Sequence, residues 1–341
     1  MKRFPRTVTA TILLGMISCE KMEEANPQVR EKTAPPNEEY QALLTFREDT
    51  RQHYKNRRFA ELEKIANELR TGKERLSDGE WKICQFYESL QCREDEAESI
   101  WQLHGEIHRA WQKEFPESIT ARVAYAYFLA AYAWHARSDE YASEVTEEGW
   151  RLFGERLAEA RTVLDQSKAL SPACPVWWFV CQRVALGQGW PSADYDSLFK
   201  EAKAFEPDFH PYDLSRAKYL LPRWHGQPGE WAKDASDRIP LQGESGAAIY
   251  ARVVCEMETY EDDVFGKSGA SWSQTRKGFE DLRAAYPASK SILNTYCRIA
   301  CLAGDKEMAK KLFAEIGESR ERGIWYKGEF SQAKEWAMSE N

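Results

Sequence analysis

The chain has 341 residues, 43% hydrophobic and 30% charged, the balance of a folded chain with a core rather than a disordered one. A formal net charge of −8 and a pI near 5.5 repel phosphate backbones, so nucleic acid is not expected as a partner. Strand-forming runs are scarce while Ala, Glu, Leu, Lys and Arg recur at helical spacing, which predicts an all-α fold.

The first segment reads as an address. Lys2, Arg3 and Arg6 precede an apolar stretch from Val8 to Ile17 and a small Ser18, the pattern of a signal peptide over residues 1–18. That stretch is too short to cross a bilayer as a helix. Its end, Met16-Ile17-Ser18-Cys19, resembles the bacterial lipobox, with Met16 where Leu is usual. The resemblance implies lipidation of Cys19, the alternative being ordinary cleavage with Cys19 unmodified. Glu20 after the cysteine implies an outer-membrane anchor facing the periplasm. Residues 19–37 are polar and carry Pro27, Pro35 and Pro36, as a flexible tether does.

Helices follow one another from residue 38. One is expected over Glu39–Lys55 and a second over Arg58–Thr71, with Phe59, Leu62, Ile65, Ala66 and Leu69 on one face. Asp78 is expected to cap a helix over Trp81–Leu90. A long helix over Glu94–Phe115 places Trp101, His104, His108, Trp111 and Phe115 at alternating spacings of three and four.

Aligning the helix-ending prolines brings out internal repeats. Ala160, Leu164, Ser167 and Leu170 lead to Pro172; Tyr195, Phe199, Ala202 and Phe205 lead to Pro207, 35 residues on. Phe279, Leu282 and Ala285 lead to Pro287, and Leu293, Tyr296, Ala300, Gly304, Ala309 and Phe313 follow at comparable positions. This resembles the tetratricopeptide (TPR) repeat of about 34 residues, in which small residues let paired helices approach and proline stops the second. The array is irregular: Pro116 to Pro172 spans 56 residues and Pro207 to Pro287 spans 80. Leu221–Glu230 and Glu261–Ser271 read as inserted loops, where a binding function is most readily housed. The segments Ala131–Arg137, Val145–Ala160, Val184–Trp190 and Tyr219–Gly226 together resemble an uncharacterised bacterial TPR-like domain of unknown function over roughly Gly79–Asp237. That resemblance implies a helical-repeat fold and carries no activity or ligand. The expected division is therefore a TPR-like domain over 38–237 and further TPR-like repeats over 238–341.

Candidate chemistry is sparse. His104 and His108 form an i, i+4 pair around Glu106, but HGEIH is not the HExxH order of a zinc helix, and both lie on the face expected to pack. Gly266-Lys267-Ser268 lacks the first glycine of a phosphate loop, since residue 261 is Glu. Glu261-Asp262-Asp263 lacks EF-hand spacing. Beyond Cys19, Cys84, Cys92, Cys174, Cys181, Cys255, Cys297 and Cys301 make an odd count without a CxxC pair, and are expected to pack as small hydrophobes. No cofactor, metal or catalytic set is expected, and the chain is read as not an enzyme.

Tryptophan is the unusual feature, with Trp134, Trp150, Trp177, Trp178, Trp190, Trp224 and Trp231 between residues 134 and 231. Most are expected between helices. Trp224 and Trp231, in or beside the Pro/Gly loop with Arg223 and His225, are the candidate partner-binding residues. The expected function is an envelope scaffold that binds a protein or peptide partner on a curved helical surface. Glycan or peptidoglycan-fragment binding by exposed tryptophans is the alternative, and a hydrolase with a non-local site a third.

Overall fold

The computed structural model describes residues 38–138, 143–317, 319–321, 323–326 and 328–339. The signal-peptide, Cys19 and tether expectations lie outside the described residues. Among those residues the chain forms fifteen α-helices, and the only β pairing is one isolated bridge between Arg75 and Trp81. Helices α1 (Glu38–Lys55) and α2 (Phe59–Gly72) make the first hairpin, followed by α3 (Lys82–Ser89) and α4 (Glu98–Glu114). The two longest, α5 (Ile119–Arg137) and α6 (Glu147–Ser167), pack along their length. Next come α7 (Pro175–Gln188) with α8 (Ser192–Phe205), and α9 (Pro211–Tyr219) with α10 (Glu230–Arg238). A 3-10 stretch, Ile239–Ser245, leads into α11 (Gly246–Glu258), which pairs with α12 (Trp272–Ala285). Finally α13 (Lys290–Leu302) pairs with α14 (Lys306–Ile316), and α15 (Glu329–Met338) packs on both.

Local chemistry sets the boundaries. Ser118, Thr146, Ser271, Ser289 and Asp305 each accept a backbone N–H from the first turn of α5, α6, α12, α13 and α14, satisfying donors that have no partner within the helix. Pro175 and Pro211 open α7 and α9, where the missing N–H costs nothing. Helices α6, α8 and α12 end just before Pro172, Pro207 and Pro287, as the repeat reading expected. Two boundaries differ from expectation. Helix α4 starts at Glu98 rather than Glu94, and α3 is preceded by Trp81, not capped by Asp78. Asp78 instead accepts from Glu80 N at 3.0 Å and so ties its own turn.

The repeat positions face inward: Ala160, Leu164, Ser167, Tyr195, Phe199, Ala202, Phe279 and Leu282 are all buried. Leu170 is half-buried and Ala285 exposed, and Phe205, 39% exposed, stacks on Trp178 at 4.2 Å. Close helix approach is literal at Gly278, where a Cβ would lie 2.0 Å from the Ala247 carbonyl oxygen, so α12 meets α11 backbone to backbone.

Two hydrophobic cores result, one reaching from Tyr54 to Ala270 and a smaller one from Ala251 to Ala337. They meet in α11, whose Tyr250, Val253, Val254 and Met257 belong to the first and whose Ala251 belongs to the second. Residue 237 lies inside α10, whose Trp231, Ala232 and Ala235 are first-core residues.

The array also curls. Helices α5, α7, α9 and α11 pack each against the next, while the turn before α3 reaches across to the far end of that row. Glu80 pairs with His210 at 3.0 Å and with Arg252, and Arg252 also donates to the Asp78 carbonyl. Trp81 donates to the Asp208 carbonyl at 3.3 Å and packs 5.0 Å from Phe209. Contacts across 130 and 172 residues bring α3 opposite α9 and α11, enclosing a groove.

Candidate functional site

The groove is built from stripes spaced by four residues, which lie one above another on a helix. Helix α3 and the residue before Trp81 supply Glu80, Cys84 and Glu88; α7 supplies Phe179 and Arg183; α11 and the turn after it supply Arg252, Glu256 and Tyr260. Tyr127 of α5 and Lys218 of α9 complete the wall. Most of these residues are half-buried, as expected of a wall that is enclosed by protein yet reached by water: the side chains of Glu88 and Arg47 are 28% exposed and that of Glu80 24%.

Arg183 is the most buried charged residue of this set, 7% exposed. Its guanidinium carbon sits 4.9 Å from the Tyr127 ring centroid and 5.9 Å from that of Phe179, so aromatic faces hold it. Its Nε and Nη1 are buried without a hydrogen-bond partner. Its neighbour Gln182 is buried too, but donates to Tyr195 Oη and the Tyr212 carbonyl, both at 3.1 Å. The guanidinium is nevertheless paired in part, since it donates to the Tyr127 hydroxyl.

The surrounding charges are compensated to different degrees. Burial pushes Glu80 up, but His210 and Arg252 outweigh it and hold the carboxyl down at about 2. His210 is held down by burial against the pull of Glu80, leaving a neutral imidazole beside a carboxylate and Arg252. Burial pushes Glu88 up to about 7, with Arg47 and Arg183 opposing and Glu80 and Glu256 reinforcing. Glu256 is raised by burial as well, against Lys218 and the Tyr260 hydroxyl. Burial also pushes the Cys84 thiol well up, keeping it protonated and unreactive.

The residues singled out from sequence are not brought together. Trp231 is fully buried and donates to Glu261 Oε1 at 3.2 Å; it is a core residue, not an exposed contact. Trp224 is half-buried, edge-on to Trp134 at 5.3 Å. His225 faces solvent and stacks on Tyr219 at 4.5 Å. Arg223 alone reaches the groove: it donates to the Tyr260 carbonyl at 2.9 Å, at the lip. The two inserted loops fold onto each other, with Gly229, at φ +76°, so near the Ser268 carbonyl that a Cβ would lie 3.0 Å from it. Pro and Gly therefore mark a tucked loop here rather than a displayed one.

His104 and His108 lie in the core with Trp101 and Trp111. His108 is fully buried, 5.0 Å from both Tyr54 and Phe128, and neither ring nitrogen has a hydrogen-bond partner. Among the described residues no group of three or more His, Cys, Asp or Glu is placed to hold a metal. The seven cysteines after Cys19 are free thiols, three buried and four half-buried.

What sequence reading missed is Arg183. The available signal was a lone charge in an otherwise apolar helix, PVWWFVCQRVALGQ, four residues after Phe179.

Fold and groove together define an all-helical repeat array with an enclosed inner face. Within it, residues 46–177 match a family model described as Domain of unknown function (DUF4034). The match starts earlier and ends sooner than the resemblance over 79–237, and the two share 79–177. No curated protein and no solved structure matches the chain. The matched stretch supplies Glu80, Cys84, Glu88 and Tyr127; Arg183, Arg252 and Glu256 lie beyond it.

Proposed function

We propose that this chain is an exported, lipid-anchored envelope scaffold that holds a protein or peptide partner in the groove between α3, α7 and α11. The observation that carries the reading is the convergence of half-buried charged and aromatic stripes from separate helices, with Arg183 buried among them. Curved helical arrays suit extended ligands, because a row of helices offers many shallow contacts along one line. Neither the Cys84 thiol, raised by burial, nor Glu80, paired with His210 and Arg252, is offered as a reacting group. Two of the tryptophans offered for glycan binding are not displayed: Trp231 is buried and Trp224 lies edge-on to Trp134.

Photo-crosslinking from the groove tests the reading. A crosslinker replacing Tyr260 is expected to capture a discrete protein or peptide in intact cells, while one replacing the exposed Glu155 of α6 captures none of it. Equal capture from both positions, or from neither, ends the proposal. The anchor is tested separately: Cys19→Ser is expected to release the chain from membranes and abolish fatty-acid labelling.

A further inference from the structure

We infer that residues 319–329 are a ligand held in cis, seated on a peptide-recognition face of α13 that also takes a partner peptide with a Trp and, four residues later, an acid. The described residues between α14 and α15 form no helix, and two side chains of α13 hold them. Asn294 is fully buried. Its Nδ2 donates to the Ser319 carbonyl at 3.3 Å, as well as to that of Lys290 in its own helix at 2.9 Å. Its Oδ1 accepts from the Glu321 backbone N–H at 3.2 Å and from Trp325 Nε1 at 2.9 Å. One turn on, and so on the same face, Arg298 donates through Nε to Glu329 at 2.9 Å.

The contacts divide as they do when a peptide is bound. Bonds to the backbone of Ser319 and Glu321 read no side chain, so another peptide can make them. Trp325, which stacks on Phe313 of α14 at 5.6 Å, and Glu329 are read by identity. Two features let the segment leave. Among the described residues of 319–339 only Trp325, Ala333 and Ala337 are buried, so little apolar area holds it and its opening is separable from that of the array. Departure of Glu329 also leaves Arg298 bonded to both oxygens of Glu258 at 2.9 and 3.0 Å, so no buried charge is stranded. This face is separate from the groove between α3, α7 and α11, and its occupant is set by competition between the chain's own segment and a partner's.

A fluorescein-labelled peptide with the sequence of residues 319–339, titrated by anisotropy against the full chain, tests this. The parent is expected to bind it weakly, because its own segment competes at an effective concentration in the millimolar range. A full chain with Trp325→Ala and Glu329→Gln, whose α13 face is untouched, should bind the same peptide about tenfold more tightly or better. Adding Asn294→Ala to that chain, or making the same two changes in the peptide, should remove the gain; circular dichroism checks that each variant folds. Equal affinity of the parent and the loosened chain, or a gain that survives Asn294→Ala, overturns the inference. Should the loosened chain not fold, hydrogen exchange on the parent decides. The amides of 319–329 are expected to exchange well before those of α13 and α14, and exchange only together with them overturns it.

Discussion

Two buried arginines, Arg183 of α7 and Arg298 of α13, are 7% and 8% exposed and have opposite surroundings. Arg298 spends its whole fork: Nη1 and Nη2 meet Glu258 at 2.9 and 3.0 Å, and Nε meets Glu329 at 2.9 Å. It ties α11, α13 and α15 together at the C-terminal end. Arg183 lies against ring faces and bonds the Tyr127 hydroxyl, while Glu88 acts on it only through space. Removing a charge from water is costly in either place. At Arg298 the cost is offset by direct ion pairs; at Arg183 it is offset only by ring faces, the Tyr127 hydroxyl and the more distant Glu88. Equal burial therefore separates an arginine held by ion pairs from one held mainly by rings.

The largest expected effect is at the paired site. Arg298→Met strands Glu258, itself 6% exposed, and should cost roughly 3–5 kcal/mol by chemical denaturation. A loss below about 1 kcal/mol would mean that the network is not what holds α15, and would weaken the contrast.

Next comes the histidine pair, where both His108 ring nitrogens are buried without a hydrogen-bond partner. Burial holds His104 down at about 4 and His108 well below its ordinary value. Between those values and the ordinary 6.5, the unfolded chain binds protons that the folded chain refuses. Stability is therefore full above about pH 6.5 and lost as pH falls towards 4. His108→Phe should remove part of that loss, about 2 kcal/mol of the difference between pH 7 and pH 4.5. Parallel profiles for the two proteins would show that His108 does not stay neutral in the core.

How much of this was legible in the sequence depends on range. Proline spacing gave the ends of α6, α8 and α12, and periodic apolar faces gave the burial of Tyr195, Phe199 and Phe279, because both signals are local. The closure by Glu80, His210 and Arg252 was not legible, since periodicity says nothing about pairs 130 or 172 residues apart. Trp231 was misjudged because Pro and Gly suggested an open loop, whereas the loop tucks against its counterpart over 261–271. Arg183 was overlooked because a single charge in an apolar helix carries no motif.

Glu88 sharpens the account of the groove. Its folded value of about 7 exceeds the ordinary 4.5, so the folded chain binds the extra proton between them. Stability is full below about pH 4.5 and declines as pH rises through 7. The charges facing it are Arg47, Arg183, Glu80 and Glu256. Glu88→Gln should match the parent at pH 4.5 and exceed it by about 1–2 kcal/mol at pH 8. No gain at pH 8 would mean that Glu88 is fully compensated by Arg47, with no share in the field around Arg183.

The smallest and most telling effect is at Arg183 itself. Arg183→Met keeps an unbranched apolar stem against Tyr127 and Phe179 but removes the charge. Contact of the guanidinium with two rings is worth about 0.5–2 kcal/mol, and Glu88 and Glu256 add some attraction. Against these stands the desolvation of an ion, several kcal/mol even after relaxation. The balance predicts a variant as stable as the parent, or more stable by about 1 kcal/mol, in the absence of ligand. Most substitutions at buried positions destabilise, so even neutrality separates Arg183 from Arg298. A loss of about 2 kcal/mol or more in thermal or denaturant unfolding would place both arginines in the same structural role.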